Sequence, residues 1–236
     1  MKHDLNRNSS LTSMNRVELT RDAIDKLARE PRACLINSLP GFKPAMLVGT
    51  VDKEDRTNLA IISSLFHIGS NPPLLGMLLR PSSERSQQHT LCNLIETENY
   101  TLNSFAAEEA AKAHHTSARF PKGQSEFDAC GFDVEWVSTH KAPFILNSSL
   151  QIGCKLIEHQ ELLVNGTHLI IGEIVLVRCW ENALGDDGGL DLNRLGLMIV
   201  SGLDSYHVPG PASRFSPARP NLNPKMKFHK KNPKNS

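Results

Sequence analysis

The segment from Thr57 to Pro73 places small hydroxyl residues in the middle of apolar ones and ends in a stiff bend, Asn71-Pro72-Pro73. Ser63 and Ser64 are adjacent, so on an extended strand their side chains point to opposite faces, and only one faces a given ligand unless the strand bends. Because serine is small, the backbone beside them stays accessible. The segment is therefore a candidate binding strand; the alternative is a strand end with two satisfied serines.

Standard catalytic signatures are absent from the sequence, which has no G-x-G-x-x-G, no Walker loop and no G-x-S-x-G nucleophile elbow. His114 and His115 are adjacent, so on a helix their side chains diverge by about 100° and are poorly placed to share a metal ion. Glu109 lies five residues before His114, which is another poor spacing. We therefore predict no metal site and interpret the two histidines as exposed side chains of an alanine-rich helix.

Strand signals dominate the segments around these residues. Alternation of apolar and polar residues over 150–156 predicts a half-buried strand, and the runs 161–164 and 167–177 predict a hairpin with Asn165-Gly166 as its two-residue turn. Further strands are predicted at 45–51, 58–63, 74–79, 100–105 and 197–200. Short helices are predicted at 17–29 (stopped by Pro31), 90–98 and 108–115. Because the helices are few and do not alternate with strands, an antiparallel barrel or sandwich with helices outside it is expected.

Charge is unevenly distributed along the 236 residues, although the net charge is only +1. Residues 205–236 contain seven of the 26 basic residues and no acidic one, so residues 1–204 carry 19 basic against 25 acidic residues, a net charge of −6. An acidic body is a poor surface for nucleic acid, which requires a basic face. We expect a disordered segment at 1–15, a folded domain at 16–220 and a basic disordered tail at 221–236.

Compartment and membrane association follow from composition. No apolar run approaches the roughly 18 residues that span a bilayer, and the polar N-terminus lacks the apolar centre of a secretory signal. The five cysteines are odd in number and widely spaced, which is typical of free thiols in a reducing compartment. We therefore expect a cytoplasmic protein that contacts neither membrane nor nucleic acid.

Five groups of residues then occur in one order and spacing. They are Thr57-Asn58-Leu59-Ala60 with Ser63-Ser64 and Asn71-Pro72-Pro73; His89-Thr90 with Asn93 and Thr97; Ser117-Ala118-Arg119-Phe120-Pro121; Glu126-Phe127; and Gly166-Thr167-His168 with Gly172-Glu173. Together they resemble the flavin reductase-like family over roughly residues 30–215. This resemblance implies a mainly β fold, the antiparallel FMN-binding split β-barrel, with short peripheral helices.

The resemblance also implies FMN as cofactor and places the 58–66 segment against it. The contacting residues are then expected to be Asn58, Ser63, Ser64, Leu65 and Phe66. Backbone N–H groups near 63–65 would bond the polar edge of the flavin ring, where donors stabilise the charge that appears on reduction.

The hydroxyls of Thr90 and Ser64 are the expected donors to the FMN phosphate, assisted by the first N–H groups of the helix at 90–98, which favour an anion. Asn93 in the same helix is a further expected cofactor-binding residue. Relatives often carry a lysine and an aspartate just before this threonine, whereas this chain has Gln88 and His89. Arg80 and Arg85 are candidates to replace the missing charge, and Arg214 is a further candidate. The alternatives are a plain helix N-cap for Thr90 and a surface charge for Arg214.

The activity that the resemblance implies is hydride transfer from NAD(P)H to flavin in a homodimer, with reduced flavin passing electrons to a partner protein or to oxygen. His168 is the candidate catalytic residue near the flavin or nicotinamide; the alternative is a packed strand histidine. Because flavin itself accepts the hydride, no protein nucleophile is required. A non-catalytic FMN-binding protein of the same fold remains the second hypothesis.

Overall fold

The computed structural model describes residues 15–81, 89–121 and 123–227. The predicted segment 1–15 therefore lies outside the described residues except for its last residue, and the predicted tail does so from residue 228 onward. Five α-helices are present: α1 (Arg21–Asp25), α2 (Arg29–Ser38), α3 (His89–Thr97), α4 (Ala110–His115) and α5 (Glu126–Cys130). None of the helices in this part of the chain is long and apolar enough to cross a membrane.

The described ranges also contain fourteen strands and two short 3₁₀ helices, Ala107–Glu109 and Glu181–Ala183. The strands are β1 (Lys43–Pro44), β2 (Met46–Val51), β3 (Thr57–Ile62), β4 (Phe66–Ser70), β5 (Pro73–Leu79), β6 (Asn99–Asn103), β7 (Val134–Glu135), β8 (Phe144–Ile145), β9 (Leu150–Leu162), β10 (Thr167–Cys179), β11 (Ile199–Ser201), β12 (Ser205–His207), β13 (Arg214–Phe215) and β14 (Met226–Lys227).

Seven strands form the main sheet, in the order β3-β2-β6-β9-β10-β5-β4, and every neighbouring pair is antiparallel. Apolar side chains cover both faces of β2: Met46 and Val48 belong to one buried cluster, and Leu47 belongs to a second. The second cluster includes Phe127 of α5 and Ala113 of α4. The sheet therefore has an inner core and an outer core, and the short helices cover the outer one.

Ser64 joins the two ends of this sheet. β3 and β4 lie at opposite ends of the strand order, yet only residues 63–65 separate them in sequence. β4 pairs with β5 only as far as Gly76, which leaves the outer edge of Leu78 free. The Ser64 hydroxyl donates to the Leu78 carbonyl at 2.7 Å and accepts the Leu78 N–H at 3.1 Å. This contact curls the sheet into a barrel.

The β9–β10 hairpin is longer than the sequence predicts. Residues 150–156 and 161–164 were predicted as two strands, but β9 runs unbroken through Leu162. The pairing with β10 shifts register at Ile157, which interrupts the alternation of β9 directly after the predicted strand at 150–156. A second shift, at Val175, lies on β10. The predicted two-residue turn is also wrong, since Thr167 pairs with Leu162 across four turn residues. Gly166 takes the left-handed conformation there, with φ of 70°, which glycine adopts without steric cost.

Of the predicted helix at 17–29, only α1 at Arg21–Asp25 is formed; α2 begins at Arg29, and Pro31 does not stop it. Pro31 lies in the first turn of α2, which begins at Arg29. A proline is tolerated there because the N–H that it lacks would have no acceptor within the helix. The other predicted helices and the strands at 45–51, 58–63, 74–79 and 100–105 are confirmed with ends shifted by up to two residues.

The C-terminal part of the chain returns to the barrel. β11 pairs with β1 on one side and with β12 on the other, forming a small sheet beside the start of β2. The predicted strand at 197–200 begins two residues later, at Ile199. Arg214–Phe215 then pairs with Met226–Lys227, so the described chain keeps regular structure as far as residue 227.

Candidate functional site

A groove of about 1220 Å³ opens beside β3 at the point where the strand ends. We call β3 together with Ser63 and Ser64 its floor, the end of β5 one wall, and residues 116–121 with Glu126 a second wall. The start of α3 closes one end, and β11 and β12 approach the other. The groove is thus built from segments that lie far apart in sequence, and β3 is the element that they share.

β3 is the last strand on its side of the sheet, and side chains satisfy the N–H groups on its outer edge. The Glu126 carboxylate accepts the Leu59 N–H at 3.0 Å, and the Thr116 hydroxyl accepts the Ile61 N–H at 2.9 Å. The hydroxyls of Thr57 and Ser125 are 2.7 Å apart. These contacts occur at every second residue of β3, and they fix the wall of the groove against its floor.

Beyond Ile62 this pattern of side-chain acceptors stops. In the described part of the chain, the backbone N–H groups of residues 63–65 have no protein acceptor. Ser63 and Ser64 both line the groove, because the chain leaves the extended strand conformation at this point. On an extended strand only one of these two serines would face the groove. Because the chain bends here, both do. This corner offers backbone donors to a bound molecule.

Asn58, Asn93 and Thr90 meet in a buried polar network at the α3 end of the groove. The Asn58 amide donates to the hydroxyls of Thr50 at 3.1 Å and Thr90 at 3.0 Å, and the Asn93 amide donates to Thr50 at 3.1 Å. Asn58 and Thr90 line the groove, whereas Asn93 lines a neighbouring cleft of about 250 Å³. Thr90 lies inside α3, which begins at His89, so it is not the N-cap residue.

Glu126 is the one carboxylate among the described residues that line the groove. The side chain is only 6% exposed. Burial raises the pKa of its carboxyl group, although the Leu59 N–H and the nearby His89 act in the opposite direction. The sequence contained a signal for this residue in the Glu126-Phe127 motif, but the motif did not indicate that Glu126 faces the groove.

Three cationic side chains line the same groove: Lys43, Arg80 and Arg119. The Lys43 ammonium group already donates to the carbonyl oxygens of Asn37 at 3.3 Å and Gly202 at 2.8 Å. Arg80 and Arg119 make no ion pair in the described ranges. The groove therefore has a positive lining, although residues 1–204 are acidic overall.

His114 and Tyr206 meet at the β12 end of the groove, where the His114 Nδ1 atom lies 3.0 Å from the Tyr206 hydroxyl. Burial raises the pKa of Tyr206, and the charge of Asp204 adds to the effect. His114 is exposed, as predicted, but it is also part of this contact. Adjacent histidines on a helix gave no signal for it, because the partner lies 92 residues away.

Four other predicted site residues do not line the groove. Leu65 packs against the inner core, and Phe66 lies on β4 with its side chain partly exposed. The His168 Nδ1 atom is 2.9 Å from the Nε2 atom of His159 across the hairpin, while the neighbouring Thr167 does reach the groove. Arg214 pairs with Asp187 at 2.5 Å. The roles expected of these four residues remain predictions.

Comparison with known proteins adds to this description. Residues 42–194 match the family model described as "Flavin reductase like domain". A solved structure from Shewanella frigidimarina, described as a flavin reductase with a split barrel domain, is 42% identical; the match covers 86% of this chain and all of that one, with a TM-score of 0.82.

Two more distant structures share the fold. Nitrilotriacetate monooxygenase component B from Bacillus cereus is 19% identical over 85% of this chain and 98% of that one, with a TM-score of 0.74. The FMN-binding protein from Thermus thermophilus is 18% identical over 75% of this chain and 90% of that one, with a TM-score of 0.59. The predicted mainly β split barrel with short peripheral helices is confirmed.

We predict that Glu126→Gln makes the protein more stable at neutral and alkaline pH. A carboxyl group with a raised pKa in the folded state contributes stability below the ordinary glutamate range and loses that contribution as the pH rises through the folded pKa. Glutamine keeps an oxygen that can accept the Leu59 N–H and never ionises. Urea unfolding midpoints should therefore agree with the wild type near pH 4 and be higher in the variant near pH 8.

The control for this measurement is Glu18→Gln in the exposed segment before α1. This substitution removes one solvent-exposed carboxylate. Its unfolding midpoint should differ from that of the wild type by the same amount at both pH values. If the unfolding midpoint of Glu126→Gln near pH 8 is lower than that of the wild type, the ionised carboxylate stabilises the fold, and the prediction is wrong.

Proposed function

The chain belongs to the flavin reductase-like family, and we propose that it is an FMN-binding oxidoreductase that transfers hydride from NAD(P)H to flavin. The observation that carries the proposal is the corner at 63–65, where backbone N–H groups lack protein acceptors beside a positively lined groove. A flavin ring presents a polar edge to such donors, and its phosphate requires cations. Bound there, flavin supplies the hydride-accepting chemistry.

The phosphate of FMN is assigned to the α3 end of the groove. Thr90 presents its hydroxyl there, in the first turn of a nine-residue helix whose N-terminal N–H groups favour an anion. Arg80 follows β5 on the adjacent wall and replaces the lysine that relatives carry before this helix. Arg214 is less suitable, because Asp187 already neutralises it. Asn93 supports the site through Thr50.

Space in the groove supports a second ligand beside the flavin. Sites for single small ligands occupy about 300–1,000 Å³, and this groove measures about 1220 Å³. A nicotinamide placed on the exposed face of the flavin ring would use the remaining volume. The protein then has to position two ring systems and exclude competing reactions, so an active site without a nucleophile is sufficient. The catalytic role of His168 rests on the family resemblance.

A non-catalytic FMN-binding protein is the second candidate. It is favoured by Gln88 and His89, which stand where relatives often carry a lysine and an aspartate before the threonine of the phosphate site. The two candidates share the FMN site and differ only in whether a pyridine nucleotide reacts there.

We predict that the purified protein, reconstituted with FMN, retains the yellow colour of oxidised flavin after gel filtration and loses it on anaerobic titration with NADH or NADPH. A yellow protein that neither nucleotide bleaches would establish the non-catalytic alternative. A protein that retains no flavin and catalyses no NAD(P)H-dependent reduction of free FMN would exclude both candidates.

Arg80→Gln is expected to weaken FMN binding by about tenfold or more, the usual effect of losing a hydrogen bond to a charged group. Quenching of flavin fluorescence on titration with protein measures the dissociation constant. The matched control is Arg29→Gln, which removes the same charge from the exposed start of α2, outside the groove. Equal affinities in the two variants would remove Arg80 from the phosphate site.

The protein is proposed to be a homodimer that passes electrons from reduced flavin to a partner protein or to oxygen in the cytoplasm. The β9–β10 hairpin supports an assembly, because it exposes many apolar side chains, an arrangement that marks interaction surfaces. These are Ile157, Leu163, Val164, Val175 and Val177, all more than half exposed.

Sedimentation equilibrium should therefore give twice the chain mass of 26.1 kDa. Replacing Val175 and Val177 together with lysine should shift the equilibrium toward the monomer, since two charges would have to be buried at the contact. A wild-type mass of one chain at all concentrations would contradict the dimer.

A further inference from the structure

Arg119 occupies a position that the family motif leaves variable. In the segment Ser117-Ala118-Arg119-Phe120-Pro121 the resemblance involves the serine, alanine, phenylalanine and proline, and it assigns no role to the arginine. The structure places Arg119 in the lining of the groove, in the segment after α4, whereas Arg80 lines it from the end of β5. Arg119 and Arg80 therefore reach one groove from different segments of the chain.

The backbone that carries Arg119 is held on both sides. The Thr116 hydroxyl donates to the Ala113 carbonyl at 2.8 Å and accepts the Ile61 N–H at 2.9 Å, which ties the loop to the floor. On the other side, the ring of Phe120 lies 5.4 Å from that of His115 and packs against the outer core. The backbone that carries Arg119 is thus held beside the groove that its side chain lines.

The guanidinium group of Arg119 has no counter-charge in the described part of the chain. Arg56, Arg178, Arg194 and Arg214 each pair with a carboxylate, whereas Arg119 does not. Glu126 lines the same wall, but its carboxylate accepts the Leu59 N–H. An exposed guanidinium group in a concave site is suited to an external anion, and its planar fork matches the oxygens of a phosphate group.

The proposed function gives Arg80 an anion and leaves Arg119 without one. The proposed function assigns the single phosphate of FMN to the α3 end of the groove, beside Arg80 and Thr90. A pyridine nucleotide is the second ligand of that reaction, and it carries a pyrophosphate and, in NADPH, a 2′-phosphate as well. We propose that Arg119 binds a phosphate group of the pyridine nucleotide. This inference rests on the proposed function.

Titration calorimetry of the full-length protein with NADP⁺ and NAD⁺ tests the inference without turnover. Arg119→Gln should lower the affinity for the nucleotide by about tenfold or more, whereas the affinity for FMN should change by less than about twofold. Arg119→Lys keeps the charge without the planar fork, so it should restore part of the affinity. The Arg29→Gln variant again serves as the control for a loss of charge outside the groove.

Either the 2′-phosphate or the pyrophosphate can be the group that Arg119 binds. A comparison of NADP⁺ with NAD⁺ distinguishes these two possibilities. A loss for NADP⁺ alone identifies the 2′-phosphate, and adenosine 2′,5′-bisphosphate should then reproduce it. An equal loss for both nucleotides identifies the pyrophosphate. Raising the salt concentration should weaken nucleotide binding to the wild type more steeply than binding to Arg119→Gln, because a screened charge contact has been removed.

The inference is overturned if Arg119→Gln binds both nucleotides as the wild type does, if it loses FMN as strongly as nucleotide, or if the wild type binds neither nucleotide. These outcomes are distinct from a failure of the proposed function, which the flavin measurements decide. A protein that binds FMN normally but binds nucleotide independently of Arg119 would refute this inference alone. Circular dichroism of each variant establishes that the fold is intact.

Discussion

Because β3 is the outermost strand of the seven-stranded sheet, its outer N–H groups have no neighbouring strand to accept them. An unsatisfied backbone donor is costly when it is buried, and here side chains from distant segments provide the acceptors. Glu126 and Thr116 serve the N–H groups of Leu59 and Ile61. Because these side chains take the place of a neighbouring strand, α5 and the loop after α4 pack against β3. It therefore creates the wall of the groove, and it leaves the donors at 63–65 for a ligand.

Closure of the barrel depends on the same part of the chain. Ser64 makes both of its hydrogen bonds to the backbone of Leu78, so the turn that releases the donors at 63–65 also joins the two ends of the sheet. A ligand that binds at this corner contacts a segment fixed by the barrel itself. Such rigidity lowers the entropic cost of binding, and it holds the donors in one orientation relative to the walls on either side.

The body of the protein is acidic, but the charges that line the groove favour an anion. The net charge of −6 over residues 1–204 is a property of the whole surface, whereas a ligand in a concave site responds mainly to the charges that line it. There the lining contains Lys43, Arg80 and Arg119 against the single carboxylate of Glu126. The carboxylate is buried and has a raised pKa, which reduces its opposition to an anion.

The sequence by itself determined the fold class, most of the strands and the strand segment that lines the groove. Alternation and turn residues are local signals, and the motifs from Asn58 to Glu173 occur in one order. Local signals failed in the hairpin, where a register shift at Ile157 interrupts the alternation of β9, and at Pro31, which is compatible with the first turn of α2. Only the tertiary structure decided that Glu126, Arg119 and Tyr206 face one groove, while His168 and Arg214 pair elsewhere. The physical reason is that a groove wall is formed by contacts between distant segments, and neither composition nor spacing along the chain encodes which side chains face each other across it.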